Sequence, residues 1–188
     1  MKGYWETVLW RSTPHGAPAA AEKAHEPADA AILERAVSLA TEAMHTVALQ
    51  RRRVRSSEPE DEVFLLRYWA DLQFLIVALR RLRRAAELAA KVPAAGVKIN
   101  RAIATFDAAL PMLQTMRNVG EHIDDYALDN KRRRDKEVTR YQLQVGEWDG
   151  TTHKWLDQSL NVDEAHAAAL SLYSVVQKAA TEVNATPS

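Results

Sequence analysis

Cysteine is absent from the 188 residues. Disulfide frameworks, thiolate nucleophiles, Cys-ligated zinc and iron–sulfur clusters are excluded with it. Glycine is scarce, at six residues, and no glycine-rich loop follows a strand-like run, so folds that cradle phosphates on backbone amides have no support. Long apolar runs are also missing. The longest, around Phe74 to Leu79, is far short of the ~20 residues that span a bilayer. Near the N-terminus, Glu6 interrupts an apolar run already too short for a signal-peptide core. The simplest expectation is a soluble, cytoplasmic protein without a membrane partner.

Net charge is zero, with 25 Lys and Arg against 25 Asp and Glu, which by itself argues against a nucleic-acid partner. The cations are clumped, however. Arg51, Arg52, Arg53 and Arg55 form one group, and Arg80, Arg81, Arg83 and Arg84 a second. Lys131, Arg132, Arg133, Arg134, Lys136 and Arg140 form a third. Cations suit helix C-termini, so solvated helix ends account for such clusters as readily as a ligand does. Arg132, Arg133, Arg134, Arg80 and Arg84 are the candidates for RNA contact.

The composition is 47% apolar and 27% charged, as in globular proteins, and the apolar share is carried by Ala, Leu and Val rather than aromatics. That mix favours helices, and the length suits one domain. Residues 1–27 read as a short strand over Tyr4–Trp10 followed by a flexible linker rich in Pro, Gly, Ala and Ser. Residues 28–184 read as one mainly α domain, an antiparallel up-and-down bundle of about four long helices.

Pro27 and Asp29 suit the start of the first helix. Ile32, Leu33, Ala36, Val37, Leu39, Ala40, Ala43, Met44 and Val47 recur at helical spacing, carrying it to about Arg55. The acidic run Glu58 to Glu62 opens the second, with Val63, Leu66, Trp69, Leu72, Ile76 and Leu79 on its inner face. Ile99, Ile103, Phe106, Leu110, Leu113 and Met116 trace the third. Pro111 lies inside that pattern and should kink or split the helix, because it removes a backbone donor and crowds the preceding turn. Asp149-Gly150 between alternating segments predicts a β-hairpin near 138–156 with both turn residues at positive φ. Asn161 or Asp163 then caps a last helix.

The segment Arg117-Asn118-Val119-Gly120-Glu121-His122-Ile123-Asp124-Asp125-Tyr126 concentrates polar groups at the end of the third helix. On a continuous helix Asn118, His122 and Tyr126 share one face, and Arg117, Glu121 and Asp125 the next. Such pairs are worth only a few tenths of a kcal/mol each. Arg117-Asn118 followed by His122 resembles the Arg-x4-6-His motif of the HEPN superfamily of small helical bundles, where Asn, Asp or His often follows the arginine. The resemblance covers the motif and the helical layout from roughly Ala28 to Ala180.

Membership implies a homodimer whose two motifs face each other, and in many members a metal-independent endoribonuclease of toxin or defence type with an antitoxin or other partner protein. The resemblance makes His122 the acid/base, Arg117 the phosphate stabiliser and Asn118 an orienting or phosphate-contacting residue, supported by Glu121, Asp125 and Tyr126. An imidazole changes charge near neutral pH and a guanidinium presents a planar fork of donors to a phosphate, so the chemistry is coherent. Two departures stand out. Some toxin-type members place tyrosine two residues after the histidine, where this chain has Asp124; and Glu121, Asp124 and Asp125 would repel a phosphate backbone unless paired. Non-catalytic members of the superfamily bind nucleotides or act as dimerisation and regulatory modules.

A di-metal centre in a bundle needs Glu-x-x-His pairs projecting inward from two helices. Glu22 with His25, Glu42 with His45, and Asp163 with His166 have that spacing, but the first pair lies in the linker and the second faces away from the apolar stripe. Neither a metal nor a cofactor is expected. His15 and His153 are expected at the surface. Trp5, Trp10, Trp148 and Trp155 are expected to pack the β segments onto the bundle.

Overall fold

The computed structural model describes residues 28–64, 66–128 and 136–185. The N-terminal strand and linker, with Trp5, Trp10, His15, Glu22 and His25, lie outside the described residues, as do Arg132, Arg133 and Arg134. The architecture is mainly helical, with six helices and one small antiparallel sheet among the described residues. In chain order these are α1 (Asp29–Arg53), α2 (Arg67–Ala89), α3 (Pro93–Ala109), α4 (Leu113–Glu121), α5 (Ile123–Ala127), β1 (Glu147–Trp148), β2 (Thr152–Trp155), β3 (Gln158–Asn161) and α6 (Val162–Ala185). No helix among the described residues is long and apolar enough to cross a membrane.

α1 buries Leu33, Ala36, Ala40, Ala43, Met44 and Val47, the stripe its periodicity predicts. It packs against α2 and α6. α2 is a correction. The acidic run forms only a 3₁₀ turn, Pro59–Glu62, and the helix begins at Arg67, so Val63, assigned above to the inner face, is 89% exposed. The delay follows from Arg67. Its guanidinium is buried between the end of α1 and the start of α2, where Nη1 donates to the Arg53 carbonyl at 2.8 Å and to Asp71 Oδ2 at 3.0 Å. Nη2 donates to the Ser56 carbonyl at 2.8 Å and to Asp61 Oδ2 at 2.9 Å, and Nε donates to Asp61 Oδ1. All five donors of the side chain are used. The acidic residue Asp61 therefore serves as a tie from the loop rather than as a helix-start charge.

The predicted third helix is split at Pro111 into α3 and α4. Pro111 has no amide hydrogen to continue the ladder, and Leu110 leaves helical geometry at φ −131°, ψ 58°. The predicted hairpin is present as β1 and β2 about Asp149-Gly150, and β3 extends it to a three-stranded meander, β1-β2-β3, with Trp148 opposite His153 and His153 opposite Leu160. In its first turn only Gly150 has positive φ, at 97°. The Asp149 carboxylate accepts from the Thr151 and Thr152 amides at 2.9 and 2.7 Å. Asp149 thus flanks the turn, and Gly150 and Thr151 form its centre. The second turn uses Leu156 and Asp157 at φ 56° and 57°, the conformation that Asn-Gly pairs normally supply. Leu156 is held there by burial.

Asn161 caps α6, its Oδ1 accepting from the amides of Asp163 and Glu164 at 2.9 and 3.1 Å. Asp163 then takes Arg51 Nε at 2.9 Å and also contacts Arg55, tying the start of α6 to the end of α1. Those arginine bonds are the main reason its carboxyl is held below the ordinary range.

Removing one partner from a fully bonded buried ion cluster leaves the others uncompensated. Arg67→Met should therefore lower unfolding free energy by about 3–5 kcal/mol in denaturant titrations. Gly146→Ala should cost about 1–3 kcal/mol. A Cβ there would lie 2.4 Å from the Lys154 carbonyl oxygen and 2.6 Å from the His153 ring, and the backbone atom cannot yield.

Candidate functional site

Arg117, Asn118 and Glu121 all lie on α4, which is held by Leu113, Met116 and Val119 in the core. Gly120 sets how closely α4 approaches its neighbours, since a Cβ there would lie 2.5 Å from Gln73 Oε1 on α2 and 3.8 Å from the Trp155 ring on β2. Asn118 is buried, and its Oδ1 accepts from Gln114 Nε2 at 2.8 Å and from Arg117 Nη1 at 3.3 Å. Arg117, half-buried, also pairs with Glu121 one turn on. The guanidinium is therefore fixed by two neighbours on its own helix.

His122 ends that helix. Its backbone leaves the α region at φ −129°, ψ 38°, and its carbonyl accepts from the amides of Asp125 at 3.0 Å and Tyr126 at 3.4 Å. The chain restarts as the one-turn helix α5, which carries Tyr126 into the core at 1% exposure. The two continuous polar ladders expected from the sequence are thus broken at their third rung, and Tyr126 does not extend the face of Asn118. The three carboxylates acquire separate surroundings. Glu121 binds Arg117, while Asp124 and Asp125 occupy the first turn of α5, next to its amide end. His122 is exposed, and its ring has no hydrogen-bond partner among the described residues.

The sheet closes the back of this region through Trp155 and His153. Trp69 on α2 meets the Trp155 ring edge-on at 4.8 Å and the His153 ring at 5.6 Å. His153 is completely buried, which corrects its expected surface position. Being opposite Leu160 in the middle strand, it faces inward with Trp155. Its Nδ1 lies 3.3 Å from the Glu147 carbonyl, and because a carbonyl only accepts, that nitrogen carries the hydrogen. Burial pushes the His153 pKa down, against a smaller opposing effect of that bond. A half-apolar alternation through Thr152, His153, Lys154 and Trp155 was the available sign, obscured because histidine is read as polar.

Of the remaining candidates, Arg84 is exposed on α2 and Arg80 is half-buried on the same helix. No group of three or more metal-binding side chains occurs among the described residues, and Asp163 of the Asp163–His166 pair is committed to Arg51 and Arg55. Residues the sequence reading missed are Gln73, Gln114 and Gly120. Gln73 is a polar residue within an apolar helical face, one turn from Trp69, and that mismatch was its only signal. No family model, curated protein or solved structure matches the chain.

His153 predicts a pH dependence. With its folded pKa below the ordinary 6.5, the unfolded chain takes up a proton first, so stability is full above 6.5 and declines as pH falls towards the folded pKa. His166, also lowered, mainly by burial, adds to the same window. Denaturation midpoints of wild type and His153→Phe should differ in slope as pH falls below 6.5, the variant being flatter and retaining only the His166 part.

Proposed function

We propose that this chain is a HEPN-like, metal-independent endoribonuclease that acts as a cytoplasmic homodimer of toxin or defence type, with α1, α2, α3 and α6 forming its up-and-down bundle. The observation that carries this reading is the contrast between Arg117 and His122. The guanidinium is anchored through Asn118 and Glu121, while the imidazole stands exposed at the helix break a few residues on, with no partner for either nitrogen among the described residues. An anchored cation to receive phosphate charge and an unencumbered proton carrier are what cleavage by 2′-hydroxyl attack needs. In this scheme His122 removes the hydroxyl proton or protonates the leaving oxygen, and Arg117 stabilises the phosphate as charge builds on its oxygens. Asn118 orients Arg117. Glu121 is displaced by the incoming phosphate. Asp125 and Tyr126 secure the turn beyond the histidine.

One observation favours the alternative, a non-catalytic dimerisation or regulatory module of the same fold. Arg117 already has a carboxylate partner in Glu121, so the site is neutralised without substrate. The two readings separate in a cleavage assay on a mixed RNA pool with chelator present. Under the nuclease reading His122→Ala should lose activity ~10²–10⁴-fold, the usual range for general acid–base groups. Glu121→Gln should retain it or raise it, because the arginine is freed. Equal traces from wild type and His122→Ala would remove the nuclease reading and leave the module.

A further inference from the structure

Five buried side-chain atoms among the described residues lack a hydrogen-bond partner: Gln50 Oε1, Gln73 Nε2, Arg80 Nε, His153 Nε2 and Trp155 Nε1. Arg80 alone belongs to a side chain with a fixed charge. Its neighbour Arg83 shows how a guanidinium on this helix is normally satisfied, holding both oxygens of Asp107 at 2.6 Å and contacting Glu87. Arg80 makes no such pairing among the described residues. Burial and then the like charge of Arg83 lower its pKa, against the opposing pull of Glu87.

Arg80 lines a cavity of about 360 Å³ between α2, the end of α3 and the start of α4, together with Leu110, Pro111, Leu113 and Gln114. The carboxylates of that wall, Asp107 and Glu87, are occupied by Arg83, which leaves Arg80 as the donor for an incoming acceptor. A part-buried guanidinium without a carboxylate partner is matched best by the charged oxygens of a phosphate or carboxylate. Gln114, on the other wall, is hydrogen-bonded to Asn118 and so adjoins the Arg117 site. From Gln114 to His122 is eight residues, or about 12 Å along the chain at the helical rise. A single RNA strand covers that distance within a few nucleotides.

We propose that this cavity is a phosphate-binding pocket in which Arg80 grips one phosphate of an RNA strand whose scissile bond lies at Arg117 and His122. The identity of the strand rests on the endoribonuclease reading; the phosphate pocket rests on the cavity and on Arg80, unpaired among the described residues.

The test follows thermal unfolding of the full wild-type chain with inorganic phosphate, and with chloride at equal ionic strength. Binding of a labelled single-stranded RNA is measured alongside, with chelator present. Phosphate should raise the midpoint where chloride does not. Arg80→Gln should abolish that rise, weaken RNA binding at least tenfold, and reduce the log–log salt slope by about 0.7, the share of one phosphate contact on a single strand. Lys178→Gln, removing an exposed cation of α6, should leave the phosphate effect intact. A wild type that phosphate does not stabilise, or an Arg80→Gln variant stabilised equally, overturns the pocket, and the first of these results needs no variant to fold. Cleavage assayed on the same samples keeps the two readings apart. Phosphate held by Arg80 without cleavage removes the nuclease and leaves the pocket; cleavage that needs His122 but not Arg80, with no phosphate stabilisation, does the reverse.

Discussion

Arg67 is the constraint on which the arrangement of the helices depends. A buried guanidinium is tolerable only when its donors are met, and this one meets two carboxylates and two backbone carbonyls at the junction between α1 and α2. The carbonyl of Arg53 is among the last of α1, a group that a helix leaves without an internal partner. The clamp therefore closes the C-terminal end of α1, anchors the loop through Asp61, and holds the first turn of α2 through Asp71. Asp71 also receives Arg53 at 3.0 Å, so the basic cluster at the end of α1 turns inward. Its acid response follows. The arginine bond holds the Asp61 carboxyl below its usual value of 3.8, so the stabilisation it gives is complete above that pH and fades as pH falls through the lowered value.

With α1 and α2 set, the candidate site is produced by two interruptions of one helical stretch. Pro111 ends α3 and lets α4 leave at its own angle; His122 ends α4 and lets α5 turn Tyr126 into the core. Between these breaks, nine residues carry Arg117 and Asn118 on a helix pressed against Gln73 and Trp155 through Gly120. The meander contributes through Trp155 and His153 against Trp69, edge-on aromatic contacts worth about 0.5–1.5 kcal/mol each beyond their burial. Helix, sheet and turn thus converge behind the arginine, while the histidine stays outside.

Much of this could be read from residues alone. The apolar stripe of α1 follows from periodicity, and a cap at Asn161 or Asp163 from their side-chain oxygens; the structure settles it on Asn161, which reaches two free amides. Pro111 announced its own break. The start of α2 could not be read, because Asp61 looks the same in sequence whether it faces a helix amide or accepts from the buried guanidinium of Arg67. The third strand was hidden because its turn, Leu156-Asp157, contains no glycine; burial of Leu156 against the core, a long-range effect, holds a backbone conformation that local preference disfavours.

The sequence by itself determined the helical character of most of the chain, where proline stops one helix, and that Arg117, Asn118 and His122 fall within six residues of one another. Those are local properties, decided by spacing and by backbone chemistry. Tertiary structure alone decided which charges are spent. Arg83 and Arg80 are near neighbours of identical type, yet one is bound twice and the other is left facing a cavity. Only the packing of α3 against α2 brings Asp107 to the first, while no carboxylate among the described residues pairs with the second.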